Sequence, residues 1–125
     1  MKCLIVEGRS DKLQVAQVLT EEDVVILCTN GTISVTSLEE LLAPFEMYEL
    51  YTFFDADASG DKLRQIMDRV YPEAMHLNTT RLYKEVALTP LRFIAAVLSR
   101  AHFTVRTPSI EGCGIKNEGM DRRTV

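Results

Sequence analysis

The chain has 125 residues, 46% of them hydrophobic and 26% charged, with a formal net charge of −4. That is the size of one domain with a core of its own, and no apolar run approaches the roughly 20 residues that a membrane span needs. The opening, MKCLIVEGRSD, reaches acidic and turn residues too soon for a signal peptide, so a cytoplasmic protein is expected.

In chain order, "CLIVE" reads as a buried strand, followed by a helix from a Ser10 cap to Leu19 with Leu13, Ala16 and Leu19 on one face. "DVVILCT" is a second buried strand ending at the turn "NGT" around Gly31. Ser37 and Glu40 have the S-x-x-E spacing of a capping box, and Leu38, Leu41 and Leu42 supply the apolar side of the helix that follows. "ELYTFFD" is the third strand, Leu63, Ile66, Met67 and Val70 mark a third helix face, and "EAMHL" is a shorter fourth strand. Thr89 and Pro90 form a cap and first-turn pair, after which Leu91, Ile94, Ala95 and Leu98 recur at i, i+3, i+4 and i+7.

Continuous apolar strands that alternate with helices imply a parallel sheet covered on both faces, an α/β, Rossmann-like fold of about four strands. Ligands of such sheets gather beyond the carboxyl ends of the strands, where strand order reverses. Glu7, Gly31 and Asp55 each stand at or just past such an end.

Cys3, Cys28 and Cys113 are odd in number and lack CxxC spacing, which indicates neither a disulfide framework nor a zinc knuckle. Cys3 and Cys28 lie in apolar runs and are expected to be core residues. Charge is uneven: residues 1–80 carry 6 Lys+Arg against 14 Asp+Glu, a net of −8, while residues 81–125 carry 8 against 4, a net of +4. An acidic part beside a basic part permits a metal site next to a phosphate-contacting surface. The last residues, "SIEGCGIKNEGMDRRTV", lack periodicity, and the division expected is one domain over 1–105 and a flexible or partner-dependent tail over 106–125.

The chemistry centres on "FFDADASGDK", Phe53 to Lys62. As a calcium loop it fails, because position twelve is Ile66 where a bidentate Glu belongs and a strand precedes it where an EF-hand needs a helix. As a phosphatase motif it lacks a later acidic pair: after Glu73 come only the isolated Glu85, Glu111, Glu118 and Asp121, and Glu7 has no task. The remaining reading brings Glu7, Asp55 and Asp57 together. Carboxylates within about 4 Å repel by about 4 kcal/mol per pair at an effective dielectric near 20, so the cluster needs a cation or a proton. Oxygen ligands without His or Cys suit a hard divalent ion, Mg²⁺ or Mn²⁺.

"IVEGRSD" (Ile5 to Asp11), the glycine in "CTNGT" and "FFDADASGDK", in this order and at strand ends, resemble a TOPRIM domain over roughly residues 2–100. The motifs are similar to those of the ribonucleases that mature 5S ribosomal RNA, and the whole chain resembles the small stand-alone TOPRIM proteins. The resemblance implies Glu7 as general acid/base, Asp55 and Asp57 as the metal-binding pair, and Gly8, Gly31 and Gly60 as tight backbone turns beside the site; with the convergence of the three acids, Glu7 is also expected among the metal ligands. Asp11 matches the last residue of EGxxD, where it serves either catalysis or the start of a helix. Ser59 stands where topoisomerases often carry an acid.

The implied activity is magnesium-dependent hydrolysis or transfer at a phosphodiester of RNA or DNA, and the alternative is a non-catalytic module that binds nucleic acid or a partner protein. No membrane partner is implied. Arg9 and Lys62 flank the acidic motifs as substrate clamps, and Arg81 and Lys84 follow the fourth strand as phosphate contacts. Tyr83 and His76 read as packing residues, and His102 as a helix C-terminal cap.

Overall fold

A computed structural model describes residues 1–31, 33–78 and 85–106. Four parallel strands, β1 (Lys2–Val6), β2 (Val24–Cys28), β3 (Glu49–Phe54) and β4 (Met75–Asn78), form one sheet in the order β2-β1-β3-β4. Helix α1 (Arg9–Ala16) connects β1 to β2, α2 (Val35–Leu42) leads back across to β3, α3 (Ala58–Val70) connects β3 to β4, and α4 (Leu91–Arg100) follows. The strand order thus reverses between β1 and β3.

Side chains of β1 alternate between two cores, which explains why its sequence is apolar from Cys3 to Val6. Leu4 and Val6 join Val15 and Val18 beside α1 and Ile94, Ala95 and Leu98 of α4; Cys3 and Ile5 join Leu38 and Leu42 of α2 and Leu63 and Met67 of α3. Phe53 and Phe54 divide in the same way. The helices therefore cover both faces. Burial pushes the Cys3 thiol up to about 11, which leaves it protonated and inert. Cys28 is half-buried and donates to the Gly8 carbonyl at 3.4 Å.

Several expected details are corrected. Helix α1 begins two residues earlier than a Ser10 cap implies, with Gly8 as N-cap and Asp11 closing onto its N–H at 3.0 Å. Its buried positions are Asp11 and Val15, while Leu13 is 57% exposed and Ala16 is exposed, because the earlier start rotates the apolar stripe. The cap of α2 is Ser34, whose oxygen accepts from Ser37 N at 3.1 Å, so Ser37 lies within the first turn. Strand β2 is an edge strand and only half-buried. Thr89 donates to Glu85 O at 2.8 Å and closes the 3-10 turn Val86–Leu88; it makes no side-chain cap for α4.

His102, at φ +70°, closes α4 in the left-handed region, with Phe103 N reaching Leu98 O at 3.0 Å. His76 bridges Thr52 of β3 and Asp68 of α3, a packing role. Arg106, set by the sequence at the start of the tail, still bonds Val18 O through its N–H and Gln17 O through its side chain. Arg81, Tyr83, Lys84 and Cys113 lie outside the described residues. No helix among the described residues is long and apolar enough to cross a membrane.

Candidate functional site at the sheet switch point

Strands β1 and β3 are direct neighbours, with Val6 opposite Phe53, so the residues that leave their carboxyl ends meet where the strand order reverses. Glu7 folds over that gap. Its Oε1 accepts from Asp55 N at 2.8 Å and its Oε2 from Ser59 Oγ at 3.1 Å. Glu7 is 8% exposed, and its pKa is raised, first by burial and then by the charges of Asp55 and Asp57. The two hydrogen bonds oppose that rise but do not overcome it.

Asp55 points its Oδ1 at Val86 N, 2.8 Å away. Asp57 is the N-cap of α3 and accepts from Gly60 N at 2.8 Å. This cap is why the chain turns from strand to helix here: an aspartate at N-cap satisfies an orphan donor and complements the positive end of the helix. The two aspartates thus have different tasks despite their near-identical setting in the sequence.

Gly60 and Gly31 need glycine for different reasons. A Cβ on Gly60 would lie 1.9 Å from the Asp55 carbonyl oxygen, so the close approach of α3 to the end of β3 requires its absence. Gly31 sits at φ +95° in open space and needs conformational freedom; its N–H donates to the Glu7 carbonyl at 3.1 Å. Gly8 is extended and has room for a Cβ, so the expected requirement for glycine there is not supported by backbone or space.

Three participants escaped the sequence reading. Ser59, which stands where an acid was sought, serves as a donor to Glu7. Arg64 reaches back one and a half turns to the carbonyls of Phe54 and Asp55 and pairs with Asp61 at 2.6 Å. Val86, an apolar residue far along the chain, contributes its backbone N–H. The three-residue spacing from Asp61 to Arg64 was the one sequence signal available for any of them.

Among the described residues, no three His, Cys, Asp or Glu side chains stand close enough to hold a metal ion by themselves. The donor set still suits a hard divalent cation. One oxygen each of Asp55 and Asp57 has no donor among the described residues, and two carboxylates but no cation act on the ionisation of Glu7. An ion that keeps several of its waters needs only such a pair of carboxylates. Arg9 and Lys62 are exposed and make no ion pair among the described residues.

No family model matches the chain. It is similar to the protein YusF of Bacillus subtilis (strain 168), 48% identical over 110 residues that cover 88% of this chain and 75% of that protein. A solved structure of a small TOPRIM domain protein from Bacillus stearothermophilus is 55% identical and superposes with a TM-score of 0.79, covering 84% of this chain and 88% of the other.

Proposed function

The chain belongs to the small TOPRIM domain proteins, and from that premise we propose that it is a cytoplasmic, Mg²⁺- or Mn²⁺-dependent enzyme acting on a phosphodiester of RNA or DNA by hydrolysis or transfer. The observation that carries this reading is Glu7, a buried carboxylate with raised pKa, held by Asp55 N and Ser59 Oγ beside two more acids. A carboxylate whose pKa is pushed toward neutrality is suited to both accept and return a proton. Each Glu7 oxygen uses one lone pair on its donor and keeps a second for that proton.

Asp55 and Asp57 would hold the ion. Once bound, it supplies polarisation of the phosphodiester and charge for the leaving oxygen. Arg9 and Lys62, with Arg81 and Lys84, are assigned to phosphate oxygens of the substrate. The backbone donors fix the carboxylates before substrate arrives, which lowers the reorganisation that the reaction requires.

A second reading, a non-catalytic module that binds nucleic acid or a partner protein, is favoured by the absence of a converged three-acid metal group among the described residues. Cleavage and binding assays on structured RNA and on single- and double-stranded DNA, with Mg²⁺ or Mn²⁺, separate the two. The enzyme predicts turnover by the parent and a fall of roughly 10²–10⁴ in Glu7→Gln, with affinity little changed. A parent silent on every substrate while still binding nucleic acid selects the module.

A further inference from the structure

At the amino ends of β3 and β4, opposite the end that carries Glu7, the residues before β3 and the turn between α3 and β4 enclose a groove of about 550 Å³. That volume suits inserted side chains or a small ligand. Glu46, Glu49 and Glu73 line it, all three exposed, and among the described residues none of them makes an ion pair and no Lys, Arg or His joins the lining. Lys2, opposite Glu49 in the β1–β3 ladder, is committed to Glu21 at 3.1 Å and to His102 O, while Arg69, in the last turn of α3, points no charge into the lining. Two of the glutamates are oriented without being neutralised: Tyr71 OH donates to Glu46 Oε2 at 3.3 Å and Tyr51 OH to Glu49 Oε1 at 3.0 Å. The pKa of Tyr71 is raised, first by burial and then by the charge of Glu46, which agrees with a negative field in the groove. Tyr71 is also the C-cap of α3, so the negative end of that helix adds to the field.

Charge is half of the surface. Five large hydrophobic residues are exposed among those described, and three stand at this end: Met47 at 97%, Met1 at 64% and Met75 at 56%. Met1 O accepts from Glu49 N at 3.0 Å, and Met47 and Met75 line the groove beside Tyr48 and Tyr71. The Tyr48 ring is itself held edge-on by Phe45, with centroids 5.3 Å apart. Adaptable thioethers around fixed tyrosine rings are the composition of a protein-binding surface, and a small hydrated cation would leave them uncovered.

We propose that this groove docks a basic segment of a partner protein, which seats an arginine or lysine among Glu46, Glu49 and Glu73 and lays apolar side chains on Tyr48, Tyr71, Met47 and Met75. The charges are complementary, and tyrosine faces add cation–π attraction for a guanidinium. The inference is independent of the chemistry assigned to the carboxyl end of the sheet, because the two sites lie at opposite ends of the strands.

The experiment titrates the full chain with the capped peptide acetyl-LRALRALRAL-amide, followed by calorimetry and by amide shifts in NMR. The parent should bind it, with shifts centred on Tyr48, Tyr71 and Met75. Each of Glu46→Gln, Glu49→Gln and Glu73→Gln should weaken binding about twofold to fivefold, the worth of one exposed charge pair, and the triple variant tenfold or more. Met47→Ser combined with Met75→Ser should weaken it about threefold or more through lost apolar contact. A peptide with citrulline in place of each arginine, neutral but of the same shape, should bind at least tenfold more weakly. No binding up to about 1 mM overturns the proposal, as do equal affinity for the citrulline peptide and an unchanged triple variant. Shifts centred on Glu7 and Asp55 also overturn it, since the peptide would then be held by the other acidic site. Spermidine that binds as tightly as the peptide and ignores the methionine variant would make the groove a small-cation site, and a dimer in sedimentation that the triple variant abolishes would give it to a second copy of this chain; either result overturns the docking of a basic partner.

Discussion

The two ends of the sheet treat buried or half-buried glutamates in opposite ways. At the amino end, Glu21 pairs with Lys2 at 3.1 Å and accepts from Thr104 N at 2.8 Å, and its pKa is lowered, chiefly by that backbone bond. Lys2 is itself placed there by a bond to His102 O and by the Phe103 ring beneath it. At the carboxyl end, Glu7 has the Asp55 N–H and the Ser59 hydroxyl for partners and Asp11 the Gly8 N–H, the charges acting on them are other carboxylates, and both are raised. The difference teaches that one end uses charge to hold the chain together while the other stores uncompensated negative charge in a rigid frame. Stored charge of that kind is stabilised by whatever cation or proton the site takes up.

The largest test concerns that frame. Gly60→Ala should destabilise the protein by about 3 kcal/mol or more, measured by urea unfolding, because the new Cβ meets the Asp55 backbone and not a movable side chain. A loss under about 1 kcal/mol would mean that the loaded end is yielding, and the contrast between the ends would weaken.

Next comes the ion. At a hundredfold excess over its Kd, Mn²⁺ should stabilise the parent by about 2.7 kcal/mol, and Asp55→Asn combined with Asp57→Asn should remove this gain. An equal thermal shift in the double variant would place the ion elsewhere.

The pH dependence of single substitutions sharpens the comparison further. The folded pKa of Glu7 lies above its unfolded value, so ionisation costs stability as pH rises through that window, and the cost is complete above it. Glu7→Gln should therefore be more stable than the parent by on the order of 1 kcal/mol at pH 8, with the gain vanishing in acid. Parent and variant with the same stability across the whole range would contradict the assignment of stored charge.

Glu21 runs the other way. Its folded pKa is lowered, so its contribution is present above the unfolded value and is lost as pH falls through the folded one. Glu21→Gln should be less stable by about 0.5 kcal/mol at neutral pH, a small figure because the pair is partly solvated, and the deficit should close in acid. A gain at neutral pH in Glu21→Gln would erase the distinction between the ends.

Much of the fold was legible because a strand buried on both faces must be apolar nearly throughout, as "CLIV" is and as "YTFF" is apart from Thr52, whose hydroxyl is satisfied by His76. The placement of Glu7 beside Asp55 followed from parallel order and strand ends alone. Helix starts were less legible: Ser10 and Ser37 look like caps in isolation, yet Gly8 and Ser34 take that position because the strands and turns before them set where the first helical bond forms. Leu13 misled for the same reason, since a shift of two residues rotates the buried stripe by more than half a turn.

The sequence by itself determined which atoms could do chemistry: three acids at strand ends, an aspartate and a glycine to turn β3 into α3, and no His or Cys among them. Those are local choices, made by neighbours along the chain. The tertiary structure alone decided how each acid is held, because a buried carboxylate takes its partners from whichever backbone passes by. Val86 reaches Asp55 across 31 positions of sequence, and its contribution is a peptide N–H that every residue except proline carries. A donor common to nearly all residues leaves no mark in the sequence, so only its place in the fold identifies it.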